Sequence, residues 1–530
     1  MDTAPTGDAG AAQQPDRGYR DNIAQIEPYG IDHIPDAERH GKASSQFFIW
    51  FAAGLNFPIM LLGFSAASLG LSLSAAIWAI IAGALIGSVA MGVMSRMGVH
   101  LGVPQQMQAR GPLGFVGNLL PVAYINVFAG VGWAAVTIIL GGKALGALIG
   151  VPFWVCAVVL AALQLTVAVF GYNMIHYLQR ILTFVLFGLF LLVTIVALQR
   201  GSSVLEANPA ASGYTGGAGG WVTLGGHFLA FLIAWLPFAS DYSRYLPGTP
   251  RVSRDAGLFT AAGNFLTLSW LGITGAVLAG TTDSSDPITA LKDLTGPWAV
   301  PAMLAILLSS FSQNFLNVYG GAISLQTLGL PLRRSTCVTL ICVAALGVSL
   351  WAADGIYTSF EVFLNLTAYF IAPYVAVLLM DYYAGPRRDR SRLPELYDRG
   401  RVLEWGAVAW VVGTLSSVPF WNSSLYTGFI ARAHPEWGEV SYYIGFAVGA
   451  LVYLLTRGLP PLWHRSPGGQ AAGATLPAGE TPDVPHASGA SKPRDASGAS
   501  DTPGASGAPG TGNARDGRPG AELTTDRPGS

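Results

Sequence analysis

Charge is scarce in this chain. Only 11% of its 530 residues are Asp, Glu, Lys or Arg, while 51% are hydrophobic; soluble domains carry roughly 25% charged residues. So few charges cannot clothe a water-facing surface of this size. That excludes a soluble multidomain protein and makes lipid the solvent for most of the exterior. Neither sign dominates, with 29 basic against 30 acidic residues, and no basic stripe invites nucleic acid. Cysteine is scarcer still. Cys156, Cys337 and Cys342 lie in apolar runs without metal-ligand spacing or a disulfide framework, and read as small buried hydrophobes. The first forty-odd residues lack an apolar h-region, so no cleavable signal peptide is expected and the run from Gln46 acts as the insertion signal.

Catalytic signatures are also missing. There is no HExxH and no GxSxG, and His176 and His227 stand near the ends of apolar runs without partners, which reads as interfacial. No repeated filter suggests a channel. An enzyme is therefore not expected, and neither is a cofactor.

What the chain has in quantity is apolar runs long enough to cross a bilayer, which takes about twenty residues. They fall at 47–66, 72–94, 119–141, 152–170, 181–198, 223–241, 257–280, 298–325, 337–351, 360–380, 403–420 and 440–455. About twelve transmembrane helices, an all-α integral membrane fold, follow. Arginines recur in alternate connectors: Arg96, Arg110, Arg180, Arg244, Arg251, Arg254, Arg333, Arg334 and a cluster from Arg387 to Arg401. The other connectors hold only Lys143, Arg200, Lys292 and Arg432. By the positive-inside rule both termini are cytoplasmic, in a multi-pass protein of the cell membrane. The organisation is then a polar N-terminal segment (1–45), a transporter domain (46–458) and a C-terminal tail (459–530). The Gly, Ala, Ser and Pro composition of that tail predicts disorder.

Broken helices point to a site. The first run contains Gly54-Leu55-Asn56-Phe57-Pro58 and the sixth contains Trp235-Leu236-Pro237-Phe238 at comparable depth. Proline removes a backbone donor and clashes with the preceding turn, so both helices should break. Runs one and six open two consecutive sets of five, the arrangement in which freed backbone groups ligate an ion or polar solute at the midplane. The eighth run adds Ser309, Ser312, Gln313, Asn314 and Asn317, polar side chains too costly to face lipid. Asn314 and Asn317, three apart, share a helical face, as do Gln313 and Asn317. These carboxamides suit a neutral heterocycle with donor and acceptor edges, or glue helices together. Trp133, mid-run beside Gly130 and Gly132, and Trp235, beside the second break, could stack on both faces of a flat ring. Trp50 and Trp154 read as interface anchors.

At these residues the chain resembles the nucleobase–cation symporter family, in its purine–cytosine permease branch, over about Ile26 to Arg457. The carriers are Glu27-Pro28-Tyr29-Gly30-Ile31-Asp32-His33-Ile34-Pro35-Asp36, Trp50-Phe51, Gly102-Val103-Pro104-Gln105-Gln106, Gly132-Trp133, Gly171 to His176, and Ala239-Ser240-Asp241-Tyr242-Ser243-Arg244-Tyr245. The resemblance implies a LeuT-type fold, a 5+5 inverted repeat plus two extra helices, with alternating access and a monomer as the working unit. It implies that Trp133 and Trp235 sandwich the substrate. Thr137, one turn on, would read the ring edge where this branch usually has an amide, and Asn317 would bond the base with Asn314 in support. A sodium site in such proteins uses carbonyls at the first break (Asn56, Phe57, Pro58) and a Ser-Thr pair in run eight. Ser312 is kept here, but Gln313 replaces the threonine, so the coupling ion is a proton or sodium, the proton being favoured. Asp241 and Glu361 are carboxylates able to titrate. The expected cargo is cytosine or a purine. The alternatives are hydantoin, allantoin or a vitamin (pyridoxine, thiamine), or a solute sensor that does not transport.

Overall fold

Helices make up nearly all the regular structure, as required of a backbone that must satisfy its own hydrogen bonds in lipid. The computed structural model describes residues 30–170, 172–200, 217–279, 287–328 and 334–465, all within one compact unit, Met1–Gly469. The expected disorder of both termini, the motif residues Glu27, Pro28 and Tyr29, Gly171 and the side chain of His176 lie outside the described residues.

Span one is two helices, Ser45–Gly54 and Phe57–Phe64, meeting at 55°. Span two is Leu73–Leu101, capped at its start by the Ser72 hydroxyl, which accepts from Ala75 N. It ends at Gly102, whose φ of 69° is the left-handed C-cap that glycine favours. Span three runs Leu119–Ile149 and spans four and five are Phe153–Phe170 and Tyr172–Arg200. Span six is Gly217–Trp235, a 3₁₀ turn Leu236–Phe238, and Ala239–Ser243. Spans seven to ten are Pro250–Ala279, Ala299–Thr327, Arg334–Ala352 and Ile356–Tyr383. Spans eleven and twelve are Trp405–Ser417 and Ser441–Thr456.

Eight of these helices are long and apolar enough to cross a membrane, and the bent pair makes a ninth. Spans four, eleven and twelve are shorter apolar helices at the positions expected from sequence. Thirteen residues in span eleven cover only about 20 Å at 1.5 Å per residue, and a 3₁₀ turn, Val418–Phe420, extends it.

Burial sorts the spans. In span six 94% of the apolar stretch is enclosed, against 33% in spans five and nine. Span six is thus the innermost helix. Large apolar side chains such as Leu85, Ile86, Phe184 and Val343 are exposed on outer spans, where lipid would cover them. This enclosure overturns two sequence readings. His227 is not interfacial but buried in span six, and Trp50 is buried edge-on against Trp235 and Tyr242. Trp154 is exposed, as an interface anchor should be, and all three cysteines are buried and free.

The arginine-rich end is tied together by polar contacts. Arg39 donates to Ile34 O and Val99 O, and Arg390 makes a two-pronged pair with Asp36 at 3.0 and 2.9 Å. Arg387 and Asp381, both buried, pair at 3.1 Å. A two-stranded ribbon, Arg401–Leu403 against Trp463–His464, closes this end.

Candidate functional site

The break in span one is built by its own sequence. Gly54 ends the first half where a Cβ would overlap the Thr267 hydroxyl of span seven. Asn56, extended at φ −142°, caps the second half by accepting from Ile59 N at 3.2 Å, and its amide donates back to Ala53 O at 2.6 Å. Pro58 therefore starts the second helix, where its missing N–H costs nothing, and the chain parts at Leu55 and Asn56. Phe57 opens that second helix beside it. In span six Pro237 sits inside the 3₁₀ turn that follows Trp235.

Span three carries an irregularity that the sequence did not signal. Tyr124–Gly130 is wound as a π-helix before α winding resumes at Val131. Such π segments gather at functional sites, and this one ends three residues before Trp133.

These three irregular stretches do not all meet, but two of them frame one cavity. It is lined by Ala129, Gly130, Trp133, Ala234, Trp235, Phe238 and Asn317, and is nearly closed, with a free volume of about 10 Å³, no more than a water molecule needs. Trp133 and Trp235, predicted to face one solute, thus share a wall with Asn317. Trp133 is held edge-on by Phe231, Phe360 and Phe363, with centroids 5.3, 5.7 and 5.4 Å away. A Cβ on Gly132 would overlap the Phe363 ring, which explains the glycine beside the tryptophan. Trp235 meets Trp50 at 5.9 Å and Phe238 at 6.1 Å, again edge-on. Two buried donors at this cavity, Trp133 Nε1 and Asn317 Nδ2, have no protein partner. Buried donors are rarely left so, and a ligand acceptor would satisfy them.

The other predicted residues lie around this cavity rather than in its lining. The Thr137 hydroxyl donates to Ala134 O at 2.9 Å. Asn314 donates to Gln164 of span four, while its own oxygen is unpartnered. Gln313 is fully buried with both amide atoms unpartnered. Ser309 donates to Ile306 O at 3.0 Å. Ser312 donates to Gln179 Oε1 of span five at 2.6 Å, and Gln179 returns a bond to Ser312 O at 2.7 Å. At the span-one break the Ala52, Ala53 and Gly54 carbonyls already accept from Leu55 N, Asn56 Nδ2 and Asn56 N. Among the described residues no group of three His, Cys, Asp or Glu could hold a metal.

Gln164 and Gln179 were missed from sequence. Gln164 is the one carboxamide of span four, and Gln179 stands among the polar residues that open span five, before the apolar run 181–198. Asp241 accepts from Gln105 N at 2.9 Å and Ser240 donates to Gln105 at 2.5 Å, so this pair of motifs fastens span six to the segment after span two. Glu361 is partly buried in span ten.

With the geometry in hand, comparison with known proteins is informative. A family described as permease for cytosine/purines, uracil, thiamine, allantoin matches residues 33–445. YxlA of Bacillus subtilis strain 168, provisionally named a purine-cytosine permease, is 29% identical over 456 residues, covering 81% of this chain and 95% of its own. The purine-cytosine permease fcyB of Emericella nidulans is 27% identical over 463 residues, covering 82% and 88%. Among solved structures, Mhp1, a nucleobase-cation-symport-1 family transporter closed around bromovinylhydantoin, superposes with a TM-score of 0.66 at 19% identity. That match covers 82% of this chain and 95% of Mhp1.

Proposed function

Because the chain belongs to the family of permeases for cytosine/purines, uracil, thiamine and allantoin, we propose that it takes up a nucleobase, cytosine or a purine, by cation-coupled alternating access. It is a multi-pass membrane transporter of LeuT-type fold and not an enzyme. One observation carries the substrate reading: Trp133, Trp235 and Asn317 line a single cavity with two unpartnered buried donors. A planar heterocycle would place its faces against the indoles and its acceptors on Asn317 Nδ2 and Trp133 Nε1. Asn314, held by Gln164, would fix the turn of span eight that presents Asn317, and Thr137 would shape the wall one turn beyond Trp133.

The membrane is the cytoplasmic membrane, with both termini inside, on the alternation of arginine between connectors. A proton is favoured as the coupling ion over sodium. The reading rests on Gln313 standing where a hydroxyl would be wanted, and on the Ser312 hydroxyl being engaged by Gln179.

A second reading keeps the mechanism and changes the cargo to hydantoin, allantoin, pyridoxine or thiamine. Thr137, where the branch has an amide, favours it. Competition uptake in cells lacking their own permeases, across these compounds, with and without sodium and with a protonophore, decides among them. Binding without accumulation would overturn transport in favour of a sensor.

A further inference from the structure

Between spans eleven and twelve the connector folds back into the protein and carries Glu439, which is completely buried. Its carboxylate accepts from Tyr369 Oη of span ten at 2.6 Å and from Asn422 N at 2.9 Å. It also accepts from Ser441 N at 3.0 Å and from the Ser441 hydroxyl at the start of span twelve. Its own N–H donates to Thr223 Oγ1 of span six at 3.1 Å. Gly438, at φ 68°, makes the turn that lets the connector lie on span six; a Cβ there would overlap Gly219 O. Trp421 of the same connector stacks on Tyr369 at 4.5 Å.

One carboxylate therefore joins the connector to span ten and to span twelve, while its backbone joins span six. Two of the spans so joined, six and ten, bear on the cavity: span six supplies Ala234, Trp235 and Phe238, and Phe360 and Phe363 of span ten brace Trp133.

Other buried acids near helix ends have cations at hand. Asp381 pairs with Arg387, and Glu404 with Arg401. Among the described residues no Lys, Arg or His pairs with Glu439. The titratable groups on the elements around it include Glu361, Tyr369 and Tyr374 on span ten, Tyr442 and Tyr443 on span twelve and His227 on span six. The connector itself adds Arg432 and the exposed pair His434–Glu436.

We propose that Glu439 is a proton-binding site: its carboxylate fastens the connector, which lies on span six, to spans ten and twelve at the end opposite the arginines, and its protonated form loosens that clamp. The chemistry is direct. Four donors converge on two oxygens, and hydrogen bonds to an anion are roughly twice as strong as neutral ones. A protonated carboxyl must itself donate, so one of the four is displaced and the rest weaken. Burial pushes the Glu439 carboxyl up to about 7, against the pull of Ser441, Tyr369 and the two amides, so the switch falls in the range of ordinary media.

The clamp is independent of what is transported, whereas its effect on uptake rests on the transport reading. The first arm is therefore thermal unfolding of the purified full chain between pH 5 and 8.5. Burying the charge costs more than its four bonds return, so the anion clamps the spans while lowering the stability of the fold as a whole, and the folded chain keeps its proton to higher pH than the unfolded one. Stability is then highest below about 4.5 and lost as pH rises through about 7. The wild-type Tm should fall across this window and Glu439→Gln should remove that component. Tyr369→Phe takes one donor from the carboxylate and should move the midpoint upward. Glu439→Gln with the wild-type slope overturns the proposal, as does Tyr369→Phe with an unmoved midpoint if the glutamine variant does not fold. The second arm is uptake against outer pH. Protonation rising from about a tenth at pH 8 to about nine-tenths at pH 6 for a group titrating near 7 allows up to about a ninefold gain, absent in Glu439→Gln. Uptake flat with pH in the wild type overturns the clamp as a gate. No uptake of any solute at any pH fails the transport reading, and the unfolding arm still decides Glu439.

Discussion

Trp235→Ala tests the site most directly. Trp235 is 5% exposed and meets Trp50 and Phe238 edge-on, while part of its surface borders the cavity. Stacking of a base on an aromatic side chain contributes about 1–3 kcal/mol. At 1.4 kcal/mol per tenfold, its loss should raise the KM for uptake by roughly 5- to 150-fold. Truncating a buried tryptophan also costs stability, about 3–5 kcal/mol in packed cores. That loss should appear as a fall in Tm of the purified variant. Trp133 lies among three phenylalanine rings, so Trp133→Ala should destabilise more and is the poorer probe. The assay is initial-rate uptake of labelled cytosine and adenine, with the amount of protein in the membrane measured in parallel. Trp235→Phe keeps a ring face and should fall between wild type and alanine. An unchanged KM for Trp235→Ala at wild-type membrane level would refute the sandwich.

Asn317→Ala removes the unpartnered cavity donor and should weaken uptake of acceptor-rich bases by about tenfold, for one hydrogen bond of about 1–1.5 kcal/mol; competition by analogues lacking that acceptor should be unaffected. Asn56→Ala deletes the cap at the span-one break and should lower stability by about 1 kcal/mol, read as a fall in Tm. Arg387→Ala strands the buried carboxylate of Asp381, which also accepts from Tyr453. Breaking a buried pair costs about 3–5 kcal/mol, so protein should be lost from the membrane, and adding Asp381→Asn should restore much of it.

Much of the fold was legible because lipid imposes simple rules. Long apolar runs, alternating arginines and prolines within runs each have one physical meaning, and the breaks near Pro58 and Pro237 follow from them. The convergence of Trp133, Trp235 and Asn317 was legible too, since mid-span tryptophan and carboxamide are costly without a purpose. Partners were not. Nothing local says that Asn314 meets Gln164 or that Ser312 meets Gln179, because tertiary contact between spans decides which polar residues pair. His227 and Trp50 were misplaced for a related reason: distance from the end of an apolar run does not reveal that span six is enclosed on every side. Glu439 sits in a stretch that reads as an ordinary loop, just before run twelve, and nothing in the sequence says that this connector folds into the protein.

The π-wound stretch Tyr124–Gly130 has a consequence for how this wall can vary. Winding with i→i+5 bonds accommodates one residue more than α winding would, and each residue of an α-helix turns about 100°. Deleting a single residue there would let span three close into a plain α-helix. Trp133 would keep its facing, because the π stretch absorbs that one extra residue, whereas rewinding the stretch as α without a deletion would turn Trp133 by about 100°, away from the cavity it shares with Trp235. The wall is thus set by winding as well as by side chains: a change that converts the stretch to plain α winding without shortening it would replace a wall of the cavity while leaving every side chain that lines it intact.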